Sequence, residues 1–516
     1  KKQEVYMSKD KITRRRFLKK SAIVGAVGTL SSVFGFSSFG SHAKVAKVAI
    51  RPTSNIIPGL LYDSPGADIC GQYCDYMFRL KGPEQKREPS LVENYTSSSD
   101  KKQWTFKVHE GVKFHHGTEL TSKDVAYTFR RIMDPDVGSP AKTLFSNVKE
   151  IEEVDKYTVR FHLKRPGPSF PLEFFDYNTA VVAHDFDYSG EGKNKPTGTG
   201  AFKIKKYVPG EKLIMERNPD YFRPGLPKLD ELHFTVVPEI ETQVLMLISG
   251  DVDVVSFVNS QQFKRLKNNS HVSADMATGG MQAPISMRTD KPPFDDPRVR
   301  KAMKYCVDRQ SMLDSALYGY GEIGHDHPVA PVYEWHKDLG TRERNIQKAK
   351  SLLKEAGYGN GLDITLYYTN NVDPAPAVAL NLQRMARPAG INIKLQGSTS
   401  DVYYSKYWLK ANLTCTPWAH RENVLDVLKL AYTSDGPWNE GHYKNPELDE
   451  HIEAASTTVD KEKRQKHFDA IQETLREDGP ALIPVHQARY GGHNKRVKDV
   501  WRVRTSIADF RHMKIA

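Results

Sequence analysis

Two adjoining stretches, KKQWTFKVHEGVKF (residues 101–114) and TSKDVAYTFRRIM (residues 121–133), carry the clearest secondary-structure signals in the chain. The first alternates apolar and polar side chains and contains Glu110-Gly111, a pattern that predicts a β-hairpin with its turn at that pair. In the second, Thr121 or Ser122 can cap a helix whose apolar residues recur on one face. A strand unit followed directly by a helix indicates a protein that mixes both kinds of element.

The same alternation continues along the rest of the chain. Further strands are predicted at DKYTVRFHLK (155–164), LDITLYY (362–368) and INIKLQG (391–397), and near ALIPVHQ (481–487). Helices are predicted at 240–250, 296–318, 345–357, 375–389, 446–455 and 461–477. Because no repeat divides these elements, the pattern favours an α/β protein with mixed sheets over a helical bundle or a solenoid.

Length and charge limit the classes of function. The chain has 516 residues, too many for one ordinary core, so two or three domains are expected. Its formal net charge is +12, but much of this excess lies in residues 1–43, and the later Lys and Arg are interspersed with acids. This distribution indicates a mixed solvated surface, and no nucleic-acid partner is predicted.

The basic start of the chain resembles an export signal. TRRRFLK (13–19) matches the twin-arginine pattern, a weakly apolar, glycine-rich run follows at 21–40, and SHA (41–43) offers small residues to a signal peptidase. We expect cleavage after Ala43 and a mature protein in the periplasm or at the cell surface. The alternative is a retained membrane anchor, which the glycines and serines of the run disfavour.

The four cysteines do not have the spacing of a metal framework. Cys70 and Cys74 are close enough for a local disulfide in an oxidising compartment, and buried free thiols are the equal alternative. Cys306 and Cys415 stand alone.

Three longer blocks point to a known family. FKVHEGVKFHHGTELTSKDVAYTFRRIMDP (106–135), PTGTGAFKIKKYVPGEKLIMERNPDYF (196–222) and PPFDDPRVRKAMKYCVDRQSML (292–313) resemble, in order, signature blocks of the extracellular solute-binding proteins, family 5. These are the dipeptide-, oligopeptide- and nickel-chelate-binding components of ABC importers. The resemblance implies a two-lobed periplasmic-binding-protein fold of type II, with mixed sheets, hinge crossover strands and an extra N-terminal subdomain.

The resemblance also implies a division of the chain and a set of partners. The partners would be the transmembrane subunits of a permease with cytoplasmic ATPases, and the receptor itself would be a monomer without a cofactor. After a signal peptide at 1–43, the first lobe would comprise 44–80, 197–288 and 486–516, its extra subdomain 81–196, and the second lobe 289–485.

TPWAHR (416–421) carries the expectation about the solute. TPWAHR resembles a loop of the peptide-binding relatives that contains a tryptophan and, three positions later, an aspartate. In those relatives the aspartate receives the ammonium group of the peptide. Here Trp418 matches the tryptophan, but Arg421 holds the third position. Because a guanidinium pairs with carboxylate, sulfonate or phosphate, the loop predicts a small polar or anionic solute, peptide-like or opine-like.

Further residues are predicted to contact the solute. Arg288 is a candidate second anion clamp, and Trp438 and Asn439 offer stacking and hydrogen bonding. His420 lies beside Trp418 in the same loop. Three of the candidate residues have a structural alternative. These are core packing for Trp418, an ion pair with Glu422 or Asp426 for Arg421, and a salt bridge at the hinge for Arg288.

Two other functions stay open. The histidines suggest an alternative function as a nickel-chelate or haem-type receptor. The candidate ligands are His115, His116, His325, His327, His420 and His442. Because no Cys or carboxylate set completes a ligand shell, no metal site is predicted. The alternative from another class is an exported hydrolase using the same cleft. Because no nucleophile elbow or HExxH motif occurs, we predict a binding protein and not an enzyme.

Overall fold

The computed structural model describes residues 43–186, 188 and 196–516. The predicted twin-arginine signal therefore lies outside the described residues, apart from Ala43 at its predicted cleavage point. Within the described ranges, no helix is both long and apolar enough for a membrane span.

The larger of two main sheets has eight strands and is mixed. Val45–Ile50 runs parallel to both of its neighbours, Glu231–Val236 and Val254–Val258, and its alternate residues are buried in the core between sheet and helices. The other pairings in this sheet are antiparallel. Its further strands are Phe202–Val208, Lys212–Arg217, Val272–Gln282 and Val485–Asn494, with Gly321–Ile323 beside the last.

The smaller main sheet has five strands and its own apolar core. Leu362–Thr369 runs parallel to Ile391–Ser398 and Leu413–Cys415, whereas Ile285–Met287 runs antiparallel to Leu413–Cys415 and Ala481–Leu482. Both sheets are thus mixed, and the predicted α/β class is confirmed.

Two segments connect the main sheets. Val272–Gln282 of the larger sheet continues into Ile285–Met287 of the smaller, and Ala481–Leu482 of the smaller continues into Val485–Asn494 of the larger. These two segments lie side by side, because Gln282 pairs with His486 and Ile285 pairs with Leu482. The predicted lobe boundaries stay predictions, although Ile285–Met287, placed in the first lobe by the boundary at 288, pairs in the smaller sheet.

A separate antiparallel sheet of four strands contains Gln103–Val108, the strand within the predicted hairpin at 101–114. Its order is Val92–Ser97, Gln103–Val108, Thr158–Leu163 and Val148–Glu153. The predicted hairpin over 101–114 is wrong, because Gln103–Val108 pairs with strands on both sides and the chain only turns at Gly111. We call residues 43–282 and 485–516, as far as the structure describes them, the large-sheet part, because they contain this sheet and most of the larger main sheet. Residues 283–484, which contain the smaller main sheet and its helices, are the small-sheet part.

The predicted helix at 121–133 forms over Ser122–Met133, and the Oδ2 of Asp124 accepts a hydrogen bond of 2.8 Å from the backbone N–H of Thr121. The single helix predicted at 296–318 is wrong. It divides into Pro297–Tyr305 and Arg309–Leu317, because Asp308 caps the second helix by accepting from the N–H of Ser311 at 2.8 Å.

Further helices and two small strand pairs lie outside the three sheets described above. The other helices are Ser64–Tyr73, Ile240–Ser249, Ser260–Lys267, Ile346–Glu355, Ala375–Ala386, Ser400–Lys406, Val424–Ala431, Pro446–Thr457 and Lys461–Glu477. Short 3-10 helices occur at Lys142–Phe145, Phe170–Phe175 and Arg387–Ala389. Two small antiparallel pairs are Phe78–Lys81 with Lys86–Pro89 and Val497–Lys498 with Lys514–Ile515. All four cysteines are buried and free, which is the thiol alternative for Cys70 and Cys74.

Candidate functional site

The TPWAHR loop is attached to one of the two crossing segments. The backbone N–H of Trp418 donates to the carbonyl of Gln282 at 2.7 Å, and the N–H of Gln282 donates back to the carbonyl of Trp418 at 3.2 Å. Since Gln282 ends the strand Val272–Gln282, the loop sits where the chain passes between the two main sheets. Residues after Trp418 then face the large-sheet part.

A small cavity lies between the loop and the large-sheet part. Its volume is about 30 Å³, room for only one or two water molecules. The polar and charged residues around the cavity include Glu173, Asp176, Tyr177, His420, Arg421 and Asp426.

Arg421 presents its guanidinium to this cavity. Its side chain is 21% exposed, and its nearest carboxylate oxygen belongs to Asp176 at 3.8 Å. Within the described part of the chain the guanidinium makes no hydrogen bond, and its carbon atom lies 5.8 Å from the ring centre of Trp438. The ion pair predicted as the alternative, with Glu422 or Asp426, is replaced by this loose contact with Asp176. The donors of Arg421 are therefore available to a ligand.

The next residue, Glu422, joins the two parts. Its buried carboxylate accepts from Arg87 Nε at 2.6 Å, and from Arg504 Nε and Nη2 at 3.0 and 2.6 Å, both in the large-sheet part. Burial favours protonation, but the hydrogen bonds from His420 and Arg504 hold the pKa of Glu422 well below its ordinary value. The carboxylate is thus charged and fully matched by protein donors.

Both ring nitrogens of His420 contact the protein. Nδ1 accepts from the N–H of Gly280 at 2.8 Å, so the proton of the neutral ring lies on Nε2 and is donated to Glu422 at 3.0 Å. Burial lowers the pKa of His420, against the opposing effect of Glu422. A Cβ on Gly280 would lie 2.5 Å from Tyr333 Oη, so glycine is required there. His420 thus orients Glu422, and its contact with solute stays a prediction.

The two tryptophans lie edge to face, with ring centres 5.6 Å apart. Trp418 is half-buried and its Nε1 donates to buried Glu440 at 3.1 Å, whereas Trp438 is 37% exposed. The amide of Asn439 holds its own turn, accepting from the N–H of Tyr443 and donating to its carbonyl. Only the Trp438 ring therefore combines position beside Arg421 with free surface, and stacking on a solute stays a prediction.

Arg288 follows the strand Ile285–Met287 in the small-sheet part. Its Nε and Nη2 donate to the two carboxylate oxygens of Asp290 at 2.9 and 2.6 Å, and Nη1 donates to the carbonyl of Lys410 at 3.0 Å. This is the salt-bridge arrangement raised as the alternative, and Arg288 does not line the cavity beside Arg421. A role as second anion clamp stays a prediction.

The structure adds charged residues that the sequence analysis did not nominate. Glu173 and Asp176 come from the four-stranded-sheet region, and Asp426 comes from the helix Val424–Ala431. Arg87 and Arg504 come from two further segments of the large-sheet part. No motif or spacing marks them. Only the fold, which places the subdomain opposite the loop, brings them together.

The histidines do not form a ligand set. Across residues 43–186, 188 and 196–516, no group of three or more His, Cys, Asp or Glu side chains has an arrangement suited to a metal ion. His325, His327 and His336 do lie together, with ring centres 6.0 to 6.1 Å apart, near His486 of a crossing strand. Burial, with the charges of neighbouring histidines second, lowers the pKa of His327 and of His486, the latter to about 3.

The low pKa of His486 predicts acid-dependent stability. Its ordinary value is 6.5, so between pH 6.5 and about 3 the unfolded chain binds a proton that the folded chain excludes, and stability falls as the pH drops. Between pH 7.5 and 4.5, the His486→Gln variant should lose about 3 kcal/mol less folding stability than the parent. Chemical denaturation at both pH values measures this, with exposed His271→Gln as control. An unchanged pH slope in His486→Gln would contradict the assignment.

Three known proteins are similar to this chain in sequence or in structure. Glutathione-binding protein GsiB of Escherichia coli O1:K1 / APEC is 25% identical over 499 residues, covering 94% of this chain and 97% of GsiB. The structure of AgaA from A. tumefaciens R10 with agropinic acid has a TM-score of 0.78 at 23% identity and covers 92% of this chain and 99% of AgaA. DppA from Helicobacter pylori with peptide STSA has a TM-score of 0.78 at 24% identity, covering 91% and 98%.

The matches to solved structures confirm the two-lobed binding-protein fold expected from the sequence blocks. The family model for bacterial extracellular solute-binding proteins, family 5 Middle, matches residues 86–441 and so includes the four-stranded sheet, one crossing segment and the TPWAHR loop. The chain therefore belongs to family 5 of the bacterial extracellular solute-binding proteins.

Proposed function

We propose that the chain is the extracytoplasmic receptor of an ABC importer and captures a small polar solute bearing an acid group. Its relatives support the size and polarity of the solute: GsiB is named for glutathione, AgaA was solved with agropinic acid and DppA with a short peptide. The captured solute is then delivered to the transmembrane subunits of a permease.

One observation carries this proposal. The guanidinium of Arg421 lies at a cavity between the two parts and makes no hydrogen bond within the described residues. A planar guanidinium holds a carboxylate or phosphate through two parallel hydrogen bonds, and exclusion of water on closure strengthens them. Arg421 is thus the group that selects the acid end of the solute.

Closure would use contacts that span the cavity. Besides Glu422, the amide of Asn423 donates to Glu173 at 2.8 Å, and Arg464 donates to Ser169 at 2.6 Å, each from the small-sheet part to the large-sheet part. A solute that touches both parts favours the closed state by its higher affinity for that state. The movement takes place about the two crossing segments.

The Arg421→Ala variant tests the proposal. The purified protein is released from its copurified solute, the solute is identified by native mass spectrometry, and its Kd is measured by calorimetry. We expect at least tenfold weaker binding, because truncating a partly buried charge partner leaves the solute's acid group unmatched. Arg298→Ala, which removes an exposed arginine paired with Asp296, is the control and should bind like the parent. Equal affinity of the Arg421→Ala variant and the parent would remove Arg421 from the site.

The export route is part of the same proposal. The twin-arginine pattern at residues 13–19 and the small residues at 41–43 support passage by that route, with cleavage after Ala43. N-terminal sequencing of the exported protein should begin at Lys44. A mature chain that starts elsewhere would overturn the cleavage point, and normal export after Arg14→Lys and Arg15→Lys would overturn the route.

A further inference from the structure

The small-sheet part has a second cavity, which we call the basin. Its volume is about 1180 Å³, and all of the residues that line it belong to the small-sheet part. They come from the strands Leu362–Thr369 and Ile391–Ser398, from the segment 406–413, from the segment 292–294 and from the chain around the end of the helix Ala375–Ala386. A space of this size admits a whole small molecule.

The basin is separate from the cavity beside Arg421. The two cavities share no lining residue. Leu413 lines the basin and begins the strand Leu413–Cys415, whereas the TPWAHR loop follows the last residue of that strand. The strand Leu362–Thr369, which runs parallel to it, lines the basin mainly with its first half. The basin and the loop therefore lie toward opposite ends of these strands.

The charge of the basin is strongly positive. It is lined by one carboxylate, that of Asp363, and by five cations, those of Arg384, Arg387, Lys394, Lys406 and Lys410. The Oδ1 of Asp363 accepts a hydrogen bond of 2.9 Å from Asn392 Nδ2. Within the ranges that the structure describes, none of the five cations forms an ion pair with a carboxylate. Because their charges are not neutralised, the basin attracts anions.

Three of these cations keep all of their hydrogen-bond donors. The side chains of Arg387, Lys394 and Lys406 donate to no other described residue. Arg384 and Lys410 each donate one hydrogen bond to the protein and keep their other donors. A ligand with several acceptor oxygens would therefore find free donors on more than one side of the basin.

The shape of the basin indicates which kind of anion it fits. Cations that line a concavity face a common volume, which a flat lipid surface does not enter. A guanidinium holds a phosphate or carboxylate group through two parallel hydrogen bonds, and an ammonium group adds a point charge. Tyr367 and Tyr407, which also line the basin, stack with their ring centres 4.4 Å apart and form a rigid section of its wall. These features fit a compact molecule with several acid groups.

We infer that the basin binds a small multivalent oxyanion, a molecule that carries two or more phosphate or carboxylate groups. Arg387, Lys394 and Lys406 would supply the free donors. This inference goes beyond the proposed function, because it adds a second binding site to the chain. Since every lining residue belongs to the small-sheet part, binding at the basin would need no contact with the large-sheet part.

Calorimetric titration of the full chain with two probes tests the inference. The probes are tripolyphosphate, whose acid groups are phosphates, and citrate, whose acid groups are carboxylates. We expect saturable binding of at least one probe at low ionic strength, with an affinity that falls as salt is added. A preference for one probe would identify phosphate or carboxylate as the chemistry of the ligand. The absence of saturable binding of either probe at millimolar concentration would overturn the inference.

Two double variants locate the bound probe. Arg387→Gln with Lys394→Gln removes two free cations at exposed positions of the basin and should weaken binding at least tenfold. The matched control, Lys348→Gln with Lys350→Gln, removes the same charge from exposed positions of the helix Ile346–Glu355 and should bind like the parent. Both variants keep the basic residues 1–43, so any attraction by that segment is common to them. Equal affinities of the two double variants would overturn the inference.

The Arg421→Ala variant distinguishes the basin from the cavity beside Arg421, whose guanidinium also pairs with acid groups. A probe bound in the basin should bind to this variant as it does to the parent. Loss of probe binding in Arg421→Ala, with full binding in the basin variant, would overturn the inference and leave the proposed function standing. Circular dichroism establishes that each variant is folded, and the single Lys394→Gln variant replaces the basin variant if the latter does not fold.

Discussion

The Asp326→Asn variant is expected to have a free energy of unfolding about 3–5 kcal/mol below that of the parent, because it breaks a fully buried ion pair. The side chains of Asp326 and Arg309 are both 0% exposed, and Arg309 Nη2 donates to Asp326 Oδ2 at 2.6 Å. Asp326 Oδ1 also accepts from the N–H of Ile483 at 3.2 Å, which ties the loop to the chain before the second crossing segment.

Asparagine is the appropriate replacement because Asp326 has a φ of +64°, a conformation that asparagine tolerates better than alanine. Urea unfolding followed by circular dichroism measures the loss. The matched control is Glu334→Gln, which removes an exposed pair with Lys461 and should cost below about 1 kcal/mol. Equal stabilities of the two variants would show that the buried pair contributes nothing beyond a surface pair.

The Glu422→Gln variant should weaken the contact between the two parts by about 2–5 kcal/mol, since Arg504 and Arg87 are left without their carboxylate. The side chain of Arg504 is only 9% exposed in this structure, so its unpaired charge would be hydrated only if the two parts separated. We expect a larger radius of gyration in small-angle scattering and a higher Kd for solute, with the stability of each part largely retained.

The control for Glu422→Gln is Glu453→Gln. Glu453 also joins the two parts, through Arg165, but both side chains are about half exposed, so the change should have little effect on scattering. If Glu422→Gln and Glu453→Gln gave the same radius of gyration as the parent, the Glu422 cluster would not control closure.

Sequence patterns located most elements of the fold but not their partners. The alternation in residues 103–108 correctly indicated a strand, yet its neighbours are Val92–Ser97 and Thr158–Leu163 and not the next few residues. Alternation reports which face of a strand is buried and carries no information on pairing. The division of the predicted helix at 296–318 was foreseeable, because Asp308 is a good N-cap residue within that apolar pattern.

The candidate site, like the fold, could be predicted from the sequence only in part. The TPWAHR loop could be found because it resembles a family motif, and its departure at Arg421 was visible in the sequence. Glu173 could not be found, because its hydrogen-bond partner Asn423 lies 250 positions away and neither residue stands in a motif. The set of carboxyl groups around the cavity is therefore a property of the fold.

The two backbone hydrogen bonds between Trp418 and Gln282 have an engineering consequence. They fasten the TPWAHR loop to the strand Val272–Gln282 through the backbone, so the attachment is independent of the side chains that the loop carries. Under the proposed function, side chains of this loop could be exchanged to alter the preference for solute without loosening that attachment. A fluorescent dye at the half-exposed Trp438 position would convert such variants into optical biosensors for new analytes.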